Sequence, residues 1–261
     1  MIHYLRIFLS GMKVALASRM AYRGDFIIRI VVMFFGDLLF PMITTLIYRA
    51  GASFPGWSLP EVLLIQGIFM VVKGISFPFF FGMIEEILDR VREGTFDLML
   101  IRPCSVLYLS IVSSFNLEYV GSFLGGIILL SYALLYIEIN ITLVTGLLFL
   151  LLFFFSMLIL LSFTLIMSGT LFKWVGNSRV YEIFDAVTKF CLYPRSIYSE
   201  AFQNLISYVF PLAMIAYFPA ASLLERLDRG VIYSLVVCLL FFLISRAFWY
   251  RMLKQYTSAG G

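Results

Sequence analysis

Residues 82–103 read GMIEEILDRVREGTFDLMLIRP, a compact charged island between two long apolar stretches. Glu85, Glu86, Asp89, Arg90, Arg92, Glu93 and Asp97 in this island hold about a fifth of the charge in the whole chain. Almost everywhere else the sequence runs in Leu, Phe, Ile, Val, Met and Tyr, in stretches long enough to cross a bilayer. Within the island Ile84, Ile87, Leu88 and Val91 recur at helical spacing, which predicts one apolar face and an opposite face of acids and bases. Gly94 follows as a helix stop and Pro103 closes the segment. Such a helix is either solvated or docked against a partner. Both readings stand on the residues alone.

Composition fixes the class. Apolar residues make up 62% of the 261 and charged residues 13%, against roughly 45–50% and about 25% in soluble domains. At ~20 apolar residues per crossing, the length allows about five to seven spans and no soluble domain of ~100 residues. The chain therefore reads as one all-α transmembrane domain, residues 1–261. Cys104, Cys191 and Cys238 lie in or beside apolar segments without close spacing, which argues against a disulfide framework or a zinc site. No GxxxxGK[ST] phosphate loop occurs, and Gly-Lys is absent altogether. His3 is the only histidine, so His-based triads and HExxH zinc chemistry are excluded. The net charge of +4 reports orientation in the membrane and does not point to nucleic acid.

The spans are expected at Phe26–Tyr48, Glu61–Gly82, Val106–Tyr136 (long and tilted), Ile141–Thr170, Val180–Tyr193 and Val231–Tyr250. Residues 1–24 place Leu5, Phe8, Leu9, Met12 and Leu16 on one helical face and His3, Arg6, Ser10 and Lys13 on the other. That pattern predicts a helix lying in the membrane interface, its basic residues toward anionic headgroups, ahead of the alternative of the first turns of a long span. Phe202–Leu224 is apolar but broken by Pro211 and Pro219. Counting it as a crossing gives seven spans, and the basic residues oppose that count. With six spans, twelve positive residues fall on one side (Arg6, Lys13, Arg19 and Arg23; Arg90, Arg92 and Arg102; Lys173 and Arg179; Arg246, Arg251 and Lys254). Only Arg49, Arg195, Arg226 and Arg229 fall on the other. The positive-inside tendency then makes the first group, the charged island and both termini cytoplasmic. Phe202–Leu224 must enter and leave from the outer face as a re-entrant hairpin packed against other helices.

Six ionisable residues lie inside expected spans: Arg29, Asp37, Lys73, Glu118, Asp185 and Lys189. Charges in lipid are costly and turn toward a bundle interior or a pathway. Arg29 and Asp185 sit near span ends, where they can snorkel. Asp37, Lys73 and Glu118 lie deeper, as structural pairs or as a functional path. If they form an ion-coupling site, the chain is a secondary transporter.

The stretch Arg92-Glu93-Gly94-Thr95-Phe96-Asp97-Leu98, followed by Leu100-Ile101-Arg102-Pro103, resembles the cytoplasmic loop of ABC type-2 export permeases, in the bacterial six-span branch of the ABC-2 family. The basic N-terminal helix, Tyr193-Pro194, and Phe218-Pro219-Ala220 are similar to that branch too, and the resemblance spans the whole chain. It implies a multi-pass permease of the bacterial inner membrane. Two copies of a separate ABC ATPase, which carries the ATP and Mg, would be paired with two permeases, identical or homologous. It further implies that residues 83–103 contain a coupling helix, Glu85 to Asp97, seated in a cleft of the ATPase through Glu85, Glu86, Asp89, Arg90, Arg92, Glu93, Gly94, Phe96 and Asp97. Short outer-face helices are implied over residues 196–224. No cofactor is expected on this chain. A path at the permease dimer interface would draw on the first and fifth spans, with Asp37, Lys73, Glu118, Asp185 and Lys189 as path or interface residues.

Overall fold

The computed structural model describes residues 6, 8–13, 16–17, 23–139, 142–174 and 179–257. Among them every regular element is helical. In chain order these are α1 (Arg23–Arg49), α2 (Leu59–Arg92), α3 (Asp97–Leu100), α4 (Val106–Ser113), α5 (Val120–Tyr136) and α6 (Leu143–Leu171). After them come α7 (Arg179–Lys189), α8 (Glu200–Asn204), α9 (Tyr217–Leu223) and α10 (Gly230–Leu253). Among the described residues five helices are long and apolar enough to cross a membrane: α1, α2, α5 with its leading turn Leu117–Tyr119, α6 and α10. The expected N-terminal helix over 1–24 lies largely outside the described residues. Within it, residues 8–13 are helical, and Phe8 stacks on Phe79 with centroids 5.9 Å apart.

The axis of the bundle is α2. It starts where the Glu61 carboxylate accepts from the Ser58 backbone N–H at 2.8 Å, an N-terminal capping arrangement, with Pro60 in the first turn. The most apolar window of α2 is 89% buried, against 6% for α1. Helices in lipid associate by close packing, because lipid tails are as apolar as leucine. Accordingly α2 meets α5 through small residues. A Cβ on Gly74 would lie 2.6 Å from Phe123 Cα.

The expected third span, Val106–Tyr136, is not one helix. It breaks at residues 114–116, between α4 and the turn Leu117–Tyr119. Hydrogen bonds to α2 and within the turn hold the break open. Asn116 N–H donates to the Pro78 carbonyl at 2.8 Å, Ser114 Oγ donates to the Phe79 carbonyl at 2.8 Å, and Asn116 Oδ1 accepts from Glu118 N–H. The broken strand of backbone runs so close to α2 that a Cβ on Gly82 would fall 2.1 Å from the Ser114 carbonyl oxygen. Gly82 therefore marks a crossing of chains and not the end of α2, which continues to Arg92.

The expected fifth span, Val180–Tyr193, is the 11-residue α7 followed by the 3-10 turn Phe190–Leu192. Together they rise about 22 Å, short of a ~30 Å hydrocarbon core. Glu182, Asp185 and Lys189 leave only one face of α7 apolar, where Phe184 packs between Phe77, Phe81 and Phe163. The helix ends define the two ends of the bundle. Phe172 after α6 and Tyr256 after α10 both lie against Phe96 of the charged island. At the opposite end, Ser234 near the start of α10 donates to the Ser207 carbonyl at 3.0 Å. The chain between α6 and α10 therefore returns from one end of the bundle to the other.

Residues 205–216 are irregular and largely buried: a π-turn over Leu205–Val209, then Pro211 and a 3-10 turn at Leu212–Met214. Buried backbone must find partners. Ser156 Oγ of α6 donates to the Met214 carbonyl at 2.8 Å, and the Cys191 thiol lies 3.4 Å from the Leu212 carbonyl. The broken stretch is thus covered by protein.

Candidate functional site

The charged island is the projecting end of α2 and the turn that follows it. At 34 residues α2 is about 51 Å long, so its last turns extend beyond a ~30 Å apolar core. Nothing between Gly82 and Glu93 breaks the helix. The segment Glu85–Asp97 is consequently not a separate helix but the last turns of α2, a reversal, and the start of α3. The expected amphipathicity is present, with Ile84, Ile87 and Val91 buried and Glu85, Asp89, Arg92 and Glu93 exposed. Glu86 and Arg90, one turn apart, form an ion pair at 2.7 Å within the helix.

Gly94 makes the reversal. Its φ of +68° is a left-handed conformation that costs glycine nothing. The Thr95 and Phe96 N–H groups then turn back onto the Arg90 carbonyl at 2.9 and 3.2 Å. That turn drives Phe96 inward, where it is fully buried. Its ring lies 5.1 Å from Phe172 and 5.0 Å from Tyr256, and Phe172 in turn lies 5.5 Å from Trp249. Burial, and then the neighbouring Asp97 carboxylate, push the Tyr256 phenol above its ordinary pKa. Phe96 therefore holds the island onto the ends of α6 and α10, while Glu85, Asp89, Arg92 and Glu93 face outward.

On the outside of the reversal, Leu98, Leu100 and Ile101 are exposed, Ile101 at 78%. An exposed apolar cluster rimmed by charge marks an interaction surface. These three residues were missed by the charge pattern. The signal available was the apolar run Leu98–Ile101 placed just past a glycine turn in a polar loop. Beside it, a cleft of about 580 Å³ opens between α2 and the broken 114–116 segment, lined by Glu85, Glu86, Asp89, Arg90 and Glu93 among others.

The ionisable residues of the expected spans fall into two groups. Lys73 Nζ donates to Asp37 Oδ1 at 2.6 Å, and Ser122 Oγ also bonds Asp37. Lys189 pairs with Asp185 at 2.7 Å on α7. Both pairs line one small cavity of about 30 Å³ where α1, α2 and α7 meet. This space is of a size to hold a water molecule. Glu118 is buried in the turn before α5, and Arg29 Nε lies 3.8 Å from it and 2.8 Å from Asp25. Asp37, Lys73 and Glu118 thus sit along one seam without converging on a common cavity.

The end opposite the island is closed by cations over rings. Arg226 pairs with Glu61 at 2.7 Å and lies 5.2 Å from the Trp57 ring centroid. Arg195 pairs with Asp228 and covers Tyr217 at 5.2 Å. Trp57 Nε1 donates to Ser196 Oγ at 2.8 Å.

Comparison with known families places this architecture. The family model described as ABC-2 family transporter protein matches residues 31–260. No curated protein and no solved structure matches the chain. The chain belongs to the ABC-2 family transporter proteins, as a multi-pass membrane protein.

Proposed function

We propose that this ABC-2 family membrane protein is the transmembrane permease subunit of an ATP-driven exporter in a bacterial inner membrane, coupled to two copies of a separate ATPase subunit that binds the ATP and Mg. The observation that carries the reading is the island itself. It is a charged helix end with Leu98, Leu100 and Ile101 exposed on the outside and Phe96 locked into the bundle on the inside. A surface helix that only meets water does not need exposed leucine and isoleucine. A helix that seats in a partner and transmits its motion needs both an apolar outer contact and a rigid inner anchor.

The proposed topology has six spans, with α7 and its 3-10 turn as the short fifth crossing. It is supported by the return of the chain between the end of α6 and the start of α10. Both termini then lie on the island's side, the cytoplasm, and the buried irregular backbone of 205–216 becomes a re-entrant hairpin from the outer face. ATP binding would draw the two ATPase subunits together, and each island would move with its subunit. Because Phe96 ties the island to α6 and α10, those spans would tilt with it and open or close a path between two permeases, identical or homologous. The work comes from the differential affinity of ATP for the two states. On α1 the residues Phe35 and Leu39, and on α7 Ile183, are exposed apolar groups suited to the permease–permease contact. Co-purification of an ATPase with the tagged chain tests the assignment.

A further inference from the structure

At the end of the bundle opposite the charged island, α1, α2 and α5 enclose a groove of about 470 Å³ that the transport reading does not use. Its α1 side is a stripe at three- and four-residue spacing, from Leu38 through Leu46 to Arg49. Its floor is Leu63 and Leu129, both buried, in a small apolar cluster separate from the main core. Its outer rims are Leu46 and Ile128, 63% and 55% exposed. The mouth holds two polar groups, Arg49 and the Tyr132 ring, the latter packed 4.8 Å from Tyr136. Arg49 makes no ion pair among the described residues.

Three dimensions identify the occupant. From Leu38 to Arg49 the α1 stripe rises about 16 Å, half of a ~30 Å hydrocarbon core. The groove therefore spans one leaflet, with its cation at headgroup depth. Tyr132 lines the same groove and Tyr136 packs on it one turn further along α5, as aromatic residues do near the membrane–water boundary. Spread over that length, the volume of about 470 Å³ makes a shallow trough whose rims, Leu46 and Ile128, are exposed along its side. A single alkyl chain fits. The charge is unpaired, positive and confined to the mouth, so the occupant carries an anion at one end only.

We infer that this groove binds one acyl chain of an anionic glycerophospholipid from the leaflet opposite the charged island, with its phosphate on Arg49. The lipid would fill the seam between α1 and the rest of the bundle, where α1 has little protein around it. Native mass spectrometry of the purified full-length chain, titrated with phosphatidylglycerol or phosphatidylcholine, tests this. One phosphatidylglycerol should be retained in preference to phosphatidylcholine. Arg49→Gln should weaken phosphatidylglycerol about fivefold and abolish the preference. Ile128→Trp, which fills the groove from its rim, should remove retention of both lipids. Leu46→Trp serves from the other rim if that variant does not fold. An unchanged lipid preference in Arg49→Gln would overturn the inference. So would loss of chain–chain pairing in the tryptophan variant with lipid retention intact, since the groove would then hold protein.

Discussion

The rings of Phe96 and Tyr256 lie 5.0 Å apart, edge against face at 67°, although 160 residues separate them in the chain. One belongs to the loop after α2 and the other follows the last helix. Their contact puts the charged island and the C-terminal end of α10 at the same end of the bundle. With Phe172 and Trp249 they form a single aromatic cluster.

Removing that anchor should be costly. Phe96→Ala is expected to destabilise by about 3–5 kcal/mol, with the cavity opening at the junction of the island with α6 and α10. Thermal melting of the purified chain reads the loss, and Phe96→Leu should recover much of it. An alanine variant that melts like the wild type would mean that the island is held by other contacts.

The Asp37–Lys73 pair makes a second prediction. The two side chains are 16% and 12% exposed, so neutralising one leaves the other buried and unpaired. Lys73→Met should cost about 3–5 kcal/mol, while Lys73→Met combined with Asp37→Asn should be closer to neutral. Denaturation of both variants distinguishes a structural pair from a path residue. If the double variant is as stable as the wild type but transport is lost, the pair serves the path.

Much of this was legible in the sequence, for reasons that differ by region. The amphipathic stripe Ile84, Ile87 and Val91 emerges directly from spacing, because a helix end at the water boundary keeps its 3.6-residue period. Gly94 as a stop follows from its place just after the last helically spaced residue, since glycine alone takes the left-handed turn at no cost, and it does so at φ +68°. The break at 114–116 was not legible, since it depends on the carbonyls of Pro78 and Phe79 reached across the bundle. Hydropathy also misplaces the residues around the reversal. It treats Phe96 and Ile101 alike, yet the turn geometry sends one fully inside and leaves the other 78% exposed. The sequence did not match Asp37 to Lys73, because their 2.6 Å contact joins two different helices, α1 and α2.

Topology gives a third prediction. Cysteines introduced at Ser199 and Thr257 should label from opposite sides of the membrane, with Ser199 outside. Labelling of both from one side rejects six spans.

Pairing of two permeases gives a fourth. Cysteines at Phe35 or Leu39 should crosslink to one at Ile183 of a second permease, and neighbouring positions should repeat the pattern at helical spacing. ATP analogues should lower the yield by shifting the conformational equilibrium. Crosslinks that form only within one chain would place the path elsewhere.

The central claim is that the outer face of the island seats in an ATPase. The most direct measurement compares how much ATPase co-purifies with the tagged wild-type chain and with its Ile101→Asp variant at equal membrane abundance. Ile101 projects away from the bundle, so the substitution spares the fold while placing a charge in the apolar contact. The account predicts that the wild type carries its ATPase through purification and that Ile101→Asp retains at most about a tenth as much, the effect of losing one central apolar contact worth about 1.4 kcal/mol or more. Equal recovery with both chains, or none with the wild type, would contradict it.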